Sequence, residues 1–195
     1  DMLTSQVSGS FAPALETVSA LAEKYPVYYA NGNHEYRVKT DTERYEDRYE
    51  RYAKQLRRAG VVLLENESVL LPETGIRIFG VEIDMDYYKK LRKSVMKVSY
   101  LNSLLGRPCA DEYNILLAHN PDYFQAYAGW GADLVLSGHV HGGIMRLPVE
   151  ACFPRRCACS PDTMGACMRK ERVKWYWAGG WEPTRCQYGY LTREN

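Results

Sequence analysis

The stretch Val27 to Glu35, VYYANGNHE, decides the fold because an apolar run leads straight into a glycine turn that carries polar side chains. Val27 to Ala30 has the composition of a short strand. Asn33 and His34 follow immediately after Gly32. Functional side chains in α/β proteins commonly occupy this position, at the carboxyl end of a strand. The stretch therefore predicts an α/β fold with polar chemistry at one sheet edge.

Two further apolar runs end in the same way. Tyr113 to Ala118 leads to His119, and Leu134 to Leu136 leads to Ser137-Gly138-His139-Val140-His141. All 4 histidines of the chain lie in these three motifs. Neutral imidazole is a common metal ligand, and neighbouring glycines let the backbone approach a cation closely. Any single histidine is more often structural, but their joint placement favours a metal site.

Hydrophobic spacing also predicts the remaining elements. Helices are expected over 11–25, 41–59 and 87–105, with a short one ending at Tyr127. Strands are expected at 27–30, 61–64, 68–71, 76–81, 113–118 and 134–136. The charged residues of 41–59 are interpreted as a solvated face. The basic helix over 87–105 is interpreted in the same way, with contact to anionic lipid or phosphate as the alternative.

Composition and charge indicate which kinds of partner the chain is suited to bind. The chain has 195 residues, 46% hydrophobic and 25% charged, as expected for one globular domain. Its net charge of +1 gives no electrostatic basis for gripping nucleic acid, so no nucleic-acid partner is expected. The longest apolar runs are too short to span a bilayer. Because the first residue is Asp1 and not Met, a preceding anchor or signal stays open.

The order Gly-Asn-His-Glu, single histidine, Gly-His-x-His-Gly-Gly resembles the calcineurin-like metallophosphoesterase superfamily. The resemblance runs from Asp1 to Pro148. It implies an α/β fold, the four-layer α/β/β/α sandwich of metallophosphoesterases, incomplete at its N-terminus. Residues 1–148 would then form the central and C-terminal part of one metallophosphoesterase domain.

The resemblance also implies a set of metal ligands. Asn33, His119 and His139 would hold one ion, and His141 would hold the other. The implied cofactors are two divalent metal ions, Mn, Fe or Zn. Glycines around the Gly-His-x-His motif permit the turn that would point its two histidines at neighbouring ions.

The implied catalytic residues are His34 and Asp1. In the family the histidine after the motif asparagine donates to the phosphoryl or leaving oxygen, which assigns His34, and Asp1 would orient it. A solvated terminal aspartate is the alternative for Asp1. Glu35 and Asp122 are expected to support ligands and not to coordinate. The family's Asp-x-His and Gly-Asp-x-x-Asp motifs are not found in the chain, so a complete centre is not expected from these residues alone.

The function implied is metal-dependent hydrolysis of a phosphomonoester, phosphodiester or pyrophosphate, with a dinuclear centre activating water. The substrate would be a small molecule or lipid-linked phosphoester, because residues 142–148 are similar to bacterial membrane-associated members. Membrane association of the parent protein stays open. The alternative is a catalytically inactive fragment or binding module that keeps part of the metal site.

Residues 149–195 form an atypical tail that does not resemble the family. Five of the 6 cysteines lie there, at positions 152, 157, 159, 167 and 186. Their spacing lacks the paired Cys-x2-4-Cys units of structural zinc sites, so a zinc cluster is the weaker interpretation. We interpret the tail as out of frame, with one base lost near Val149. A divergent extension is the alternative, and the underlying DNA decides between them.

Overall fold

The computed structural model describes residues 1–89 and 94–139, together with the strand residues 145–146, 152–153, 168–170 and 173–177. The helices are Ala12–Ala22 (α1), Asn33–Thr40 (α2), Thr42–Tyr45 (α3), Arg48–Arg58 (α4), Val98–Leu105 (α5) and Phe124–Trp130 (α6). Short 3-10 helices occupy Met85–Tyr88 and Pro121–Tyr123. Within the described residues, no helix is both long enough and apolar enough to cross a membrane.

The strands belong to three sheets. They are Tyr28–Ala30 (β1), Val62–Leu64 (β2), Glu67–Leu71 (β3), Ile76–Val81 (β4), Tyr113–Ala118 (β5), Leu134–Ser137 (β6), Met145–Arg146 (β7), Cys152–Phe153 (β8), Met168–Lys170 (β9) and Val173–Trp177 (β10). The main sheet has the order β3-β4-β5-β6-β10-β9, while β1 pairs with β2 and β7 pairs with β8. Strands β4, β5, β6 and β10 are parallel to their neighbours within this run, and β3 and β9 are antiparallel at its edges.

One layer of helices covers the central strands of the main sheet. Leu116 on β5 and Val135 on β6 are both fully buried, as expected for parallel strands with both faces covered. They share a hydrophobic core with Leu101 of α5 and with Tyr127 and Trp130 of α6. This core holds the carboxyl ends of β5 and β6 in a defined place.

The second core lies between the β1–β2 pair and helices α1, α2 and α4. Tyr29 and Leu63, which are register partners in β1 and β2, pack with Val18, Tyr52 and Leu56 of the helices. The β1–β2 pair also packs on β4. A Cβ atom at Gly80 of β4 would lie 2.5 Å from the Cβ of Leu64 and 3.2 Å from that of Ala30. Helices, two layers of strands and helices thus follow one another, and the predicted α/β sandwich is confirmed.

Two predicted helices differ from the observed ones. The helix expected over 41–59 is divided into α3 and α4, because Glu46 between them has a φ of 53°, which a right-handed helix does not accommodate. The helix expected over 87–105 begins only at Val98, and residues 94–97 are not helical. The buried core residues of this segment are Met96, which precedes the helix, and Leu101, which lies in α5.

Helix α2 was not predicted at all, although it begins at Asn33 inside the deciding motif. Its first turn is stabilised by Glu35, whose Oε2 accepts a hydrogen bond from the amide of Gly32 at 3.1 Å. Asn33 and His34 therefore stand at the start of a helix and not in an open loop. Strands β8, β9 and β10 come from the part of the chain assigned to the tail, and the boundary at residue 148 stays a prediction.

Candidate metal centre

The ends of the parallel strands β5 and β6 bring two histidines together. His119 follows β5 directly, and His139 follows β6 after Gly138. The Gly138 amide donates to the carbonyl oxygen of His119 at 3.1 Å. The two imidazole rings lie 5.2 Å apart, centroid to centroid, in an edge-to-face arrangement. The sheet thereby places both rings at one edge, as the sequence predicts.

His139 has an unusual backbone conformation. Its φ is 67°, in the left-handed region that residues other than glycine seldom occupy. Such strain is often found where a side chain is held for function. Here it accompanies a contact between His139 Nδ1 and Asn33 Oδ1 at 2.9 Å. The motif asparagine of α2 thus joins the two histidines of the main sheet.

Asp1 completes the group from the other end of the chain. Its Oδ2 lies 2.9 Å from His119 Nε2, and its Oδ1 accepts a hydrogen bond from the His34 amide at 3.1 Å. The Asp1 side chain is only 10% exposed. The sequence predicts a contact of Asp1 with the His34 imidazole, whereas these contacts run to the His34 backbone and to His119. Asp1 thus lies among the predicted ligands.

Gly32 explains how Asp1 can come so close to α2. A Cβ atom at this position would lie 2.0 Å from Asp1 Oδ1 and 2.9 Å from the Asp1 nitrogen. Any other side chain here would collide with the carboxylate. Gly32 is therefore required by space, since its φ of −88° is accessible to every residue.

The donor set fits a divalent metal ion. Ligand atoms of Asp1, His119 and His139 all lie within 4.8 Å of one another, and Asn33 contacts His139. Carboxylate, imidazole and amide oxygen are donors that suit Mn, Fe and Zn. The structure brings Asn33, His119 and His139 together, while His141 lies outside the described residues. The expectation places Asp1 beside His34, and its contact with His119 is not anticipated.

His34 does not point its Nδ1 toward this group. That nitrogen accepts a hydrogen bond from the Ser5 amide at 3.0 Å. An imidazole that accepts through Nδ1 carries its proton on Nε2, so the contact assigns the tautomer of neutral His34. His34 is therefore prepared to donate a hydrogen bond from Nε2.

Two ionisable side chains next to the group keep defined protonation states. Tyr88 lies edge-on to His139, with ring centroids 5.3 Å apart, and burial raises the pKa of its phenol. Burial also raises the pKa of Glu35, but the amides of Leu3 and Met2 that donate to it contribute to holding the pKa below its ordinary value. Tyr88 is thus a neutral phenol and Glu35 a carboxylate near neutral pH.

A second polar network lies beside the motif, between α2, α4 and β4. Lys39 forms ion pairs with Glu65 at 2.6 Å and Glu82 at 2.7 Å. Asn31 donates to Glu82 at 2.6 Å. Burial lowers the pKa of Lys39, but hydrogen bonds to Glu65 and Glu82 outweigh it and raise the pKa overall. The network links the residue before Gly32 to the end of β4.

The chain matches a known protein family. The family model described as calcineurin-like phosphoesterase matches residues 6–143, so the chain belongs to this family of metal-dependent phosphoester hydrolases. Among the curated relatives, the protein YpbG of Bacillus subtilis is 31% identical over 127 residues, covering 62% of this chain and 40% of YpbG.

Two other relatives carry names that state a class of activity. The metallophosphoesterase YkoQ of Bacillus subtilis is 28% identical over 136 residues, covering 69% of this chain and 44% of YkoQ. The phosphodiesterase YaeI of Escherichia coli is 28% identical over 152 residues, covering 76% of this chain and 49% of YaeI. The chain thus spans less than half the length of these relatives. No solved structure matches the chain significantly.

Proposed function

We propose that this protein hydrolyses a phosphoester at a metal centre that includes Asp1, Asn33, His119 and His139. The observation that carries the proposal is the convergence of these four side chains from the N-terminus, the start of α2 and the ends of β5 and β6. Membership of the calcineurin-like phosphoesterase family supports the reaction type.

Each residue then has a task set by its chemistry. A bound divalent metal supplies charge neutralisation on the phosphoryl oxygens and an activated water. Asp1, His119 and His139 would hold the ion, and Asn33 would add a neutral oxygen donor. His34 keeps a proton on Nε2, because Nδ1 accepts from Ser5, and can donate a hydrogen bond from Nε2 to the phosphoryl or leaving oxygen.

A second divalent ion is part of the proposal, with His141 as its ligand. This assignment follows from the resemblance of the Gly-His-x-His motif to the family, in which two neighbouring ions, Mn, Fe or Zn, form the centre. A second ion would supply further charge neutralisation to the reacting phosphoryl group.

For the substrate we propose a small molecule or lipid-linked phosphoester. The name of the relative YaeI, a phosphodiesterase, supports a diester over a monoester or pyrophosphate. A net charge of +1 gives no support to a nucleic-acid substrate, whose backbone is usually gripped by a strong excess of basic residues.

The test is metal content together with turnover of an aryl phosphodiester and an aryl phosphomonoester. We expect Mn, Fe or Zn to be retained and the diester to be cleaved. Metal retained without turnover would favour a binding module, and neither metal nor turnover would overturn the proposal. His139→Ala is the control for zinc held by the tail cysteines, since zinc that persists in this variant does not belong to the proposed centre.

A further inference from the structure

Glu35 is a fully buried carboxylate with four hydrogen-bond donors around it. Its Oε1 accepts from the amides of Met2 at 2.5 Å and Leu3 at 2.8 Å, and from the Tyr29 hydroxyl at 3.2 Å. Its Oε2 accepts from the amide of Gly32 at 3.1 Å. The side chain has 0% exposure. A buried carboxylate needs such donors, because its desolvation is otherwise uncompensated.

The three backbone donors come from two segments, and each segment also carries one residue of the proposed metal centre. Met2 and Leu3 directly follow Asp1, and Gly32 directly precedes Asn33. One carboxylate therefore ties both backbone segments to the same point. The segments are 33 positions apart at Met2 and Glu35, and no helix or strand pairing in the described part of the chain connects them.

The Asp1 carboxylate has little room to move. Asp1 Oδ1 would be only 2.0 Å from a Cβ atom at Gly32, so the carboxylate lies directly against the α2 backbone. A small shift of the Met2–Leu3 segment would move Asp1 away from His119, which its Oδ2 now contacts at 2.9 Å. The position of Glu35 therefore affects whether Asp1 and Asn33 can bind the same ion.

We propose that Glu35 is a positioning residue for the metal centre: it holds the Asp1 carboxylate against α2 and thereby determines metal affinity. The inference rests on the proposed function, because it requires Asp1 and Asn33 to act on the same ion. Glu35 itself does not coordinate, since its two oxygens are occupied by backbone amides and Tyr29.

The test compares manganese affinity in the whole chain by calorimetry and by electron paramagnetic resonance. Glu35→Gln keeps the shape but turns one acceptor into a donor that faces backbone amides. We expect its manganese affinity to fall about 10–100-fold, as for other groups that orient ligands. Glu35→Asp keeps the charge on a shorter side chain and should bind with intermediate affinity.

The control is Leu56→Val, in the same core as Leu3 and fully buried. It should lower the thermal midpoint while manganese affinity stays within about twofold, because it leaves the ligand-bearing segments tied. A purely structural Glu35 would give the same result as this control, with stability lost and affinity unchanged.

The outcomes separate the two proposals. If the unmodified chain binds no manganese, the proposed function fails. If it binds manganese and both Glu35→Gln and Glu35→Asp bind equally well, the positioning role is overturned while the metal centre stands. Should Glu35→Gln fail to fold, Glu35→Asp decides alone, since unchanged affinity in that variant contradicts the role and weakened affinity supports it.

Discussion

The carboxylate of Asp1 and the imidazole of His119 contact each other, Oδ2 to Nε2, at 2.9 Å across 118 positions of the chain. Two independent constraints produce this contact. The main sheet places His119 at the end of β5, and the buried carboxylate of Glu35 holds the segment that follows Asp1. Asp1 supplies the only carboxylate in the candidate metal group of the described residues, so its charge is expected to dominate cation affinity.

Asp1→Asn tests that expectation, because it keeps the shape of the side chain and removes the charge. We expect manganese affinity to fall at least about tenfold, since an anionic ligand is replaced by a neutral one. Thermal stability should change little. Asp111→Asn removes a carboxylate from an exposed position and should leave affinity unchanged. Equal metal affinity in Asp1→Asn and the unmodified chain would exclude Asp1 from the centre.

Two glycine substitutions distinguish the effect of a steric clash with Asp1 from the effect of backbone strain. Gly32→Ala would place a Cβ atom 2.0 Å from Asp1 Oδ1 and should displace the carboxylate, so we expect metal affinity and turnover to be lost together. Gly60→Ala has open space but a φ of +83°, so it should cost about 1–2 kcal/mol of stability without affecting metal. Calorimetric metal titration and urea unfolding measure both. A Gly32→Ala variant with normal metal affinity would contradict the observed approach of Asp1.

The sequence was most informative where local pattern and sheet geometry coincide. Asn33, His119 and His139 could be grouped in advance, because each follows an apolar strand run and two of those strands are parallel neighbours. Helix α2 escaped prediction since its residues, NHEYRVKT, show little apolar periodicity and are held partly by the Glu35 contact to Gly32.

The resemblance places Asp1 beside His34, but no spacing predicts its contact with His119. Its contact with His119 depends on how the Met2–Leu3 segment is held by Glu35, which is a tertiary relationship with no local pattern. The break between α3 and α4 is similar. The tyrosines at positions 45, 49 and 52 suggest one continuous apolar face, yet a positive φ at Glu46 interrupts the helix.

The Lys39 network predicts a pH dependence of stability that is independent of the metal centre. Burial raises the pKa of Glu65, but hydrogen bonds from Lys39 and Tyr49 outweigh it and hold the pKa below the ordinary value of 4.5. A lowered folded-state pKa means that the stabilisation is present above the unfolded-state value and is lost as pH falls through the folded one. The protein should therefore become less stable below about pH 4.5.

Glu65→Gln should remove part of that acid dependence. We expect a loss of about 1–2 kcal/mol in the free energy of unfolding at pH 7, and a smaller difference from the unmodified chain at pH 3. Urea unfolding over pH 3–7 measures this. Glu67→Gln, at an exposed position two residues away, should leave the pH profile unchanged. If the two variants have the same profile, Glu65 is not linked to folding in this way.

Substitution of His34 distinguishes metal binding from substrate turnover most clearly. Its imidazole accepts from the Ser5 amide through Nδ1, while its backbone amide donates to Asp1 Oδ1. His34→Ala removes the proton donor but keeps the backbone contact. We therefore expect turnover of an aryl phosphodiester to fall about 10²–10⁴-fold while manganese affinity changes little.

Varying the leaving group of the substrate shows which oxygen His34 contacts in the reaction. If Nε2 of His34 donates its hydrogen bond to the leaving oxygen, His34→Ala should be least harmful for esters with an acidic phenol and most harmful for those with a basic alkoxide, because a good leaving group needs less stabilisation of its developing charge. Rates on a series of aryl diesters with increasing phenol pKa would show a steeper dependence in the variant than in the unmodified chain. Parallel dependences would assign His34 to the phosphoryl oxygens instead, and a parallel loss of manganese affinity would make it part of the metal centre.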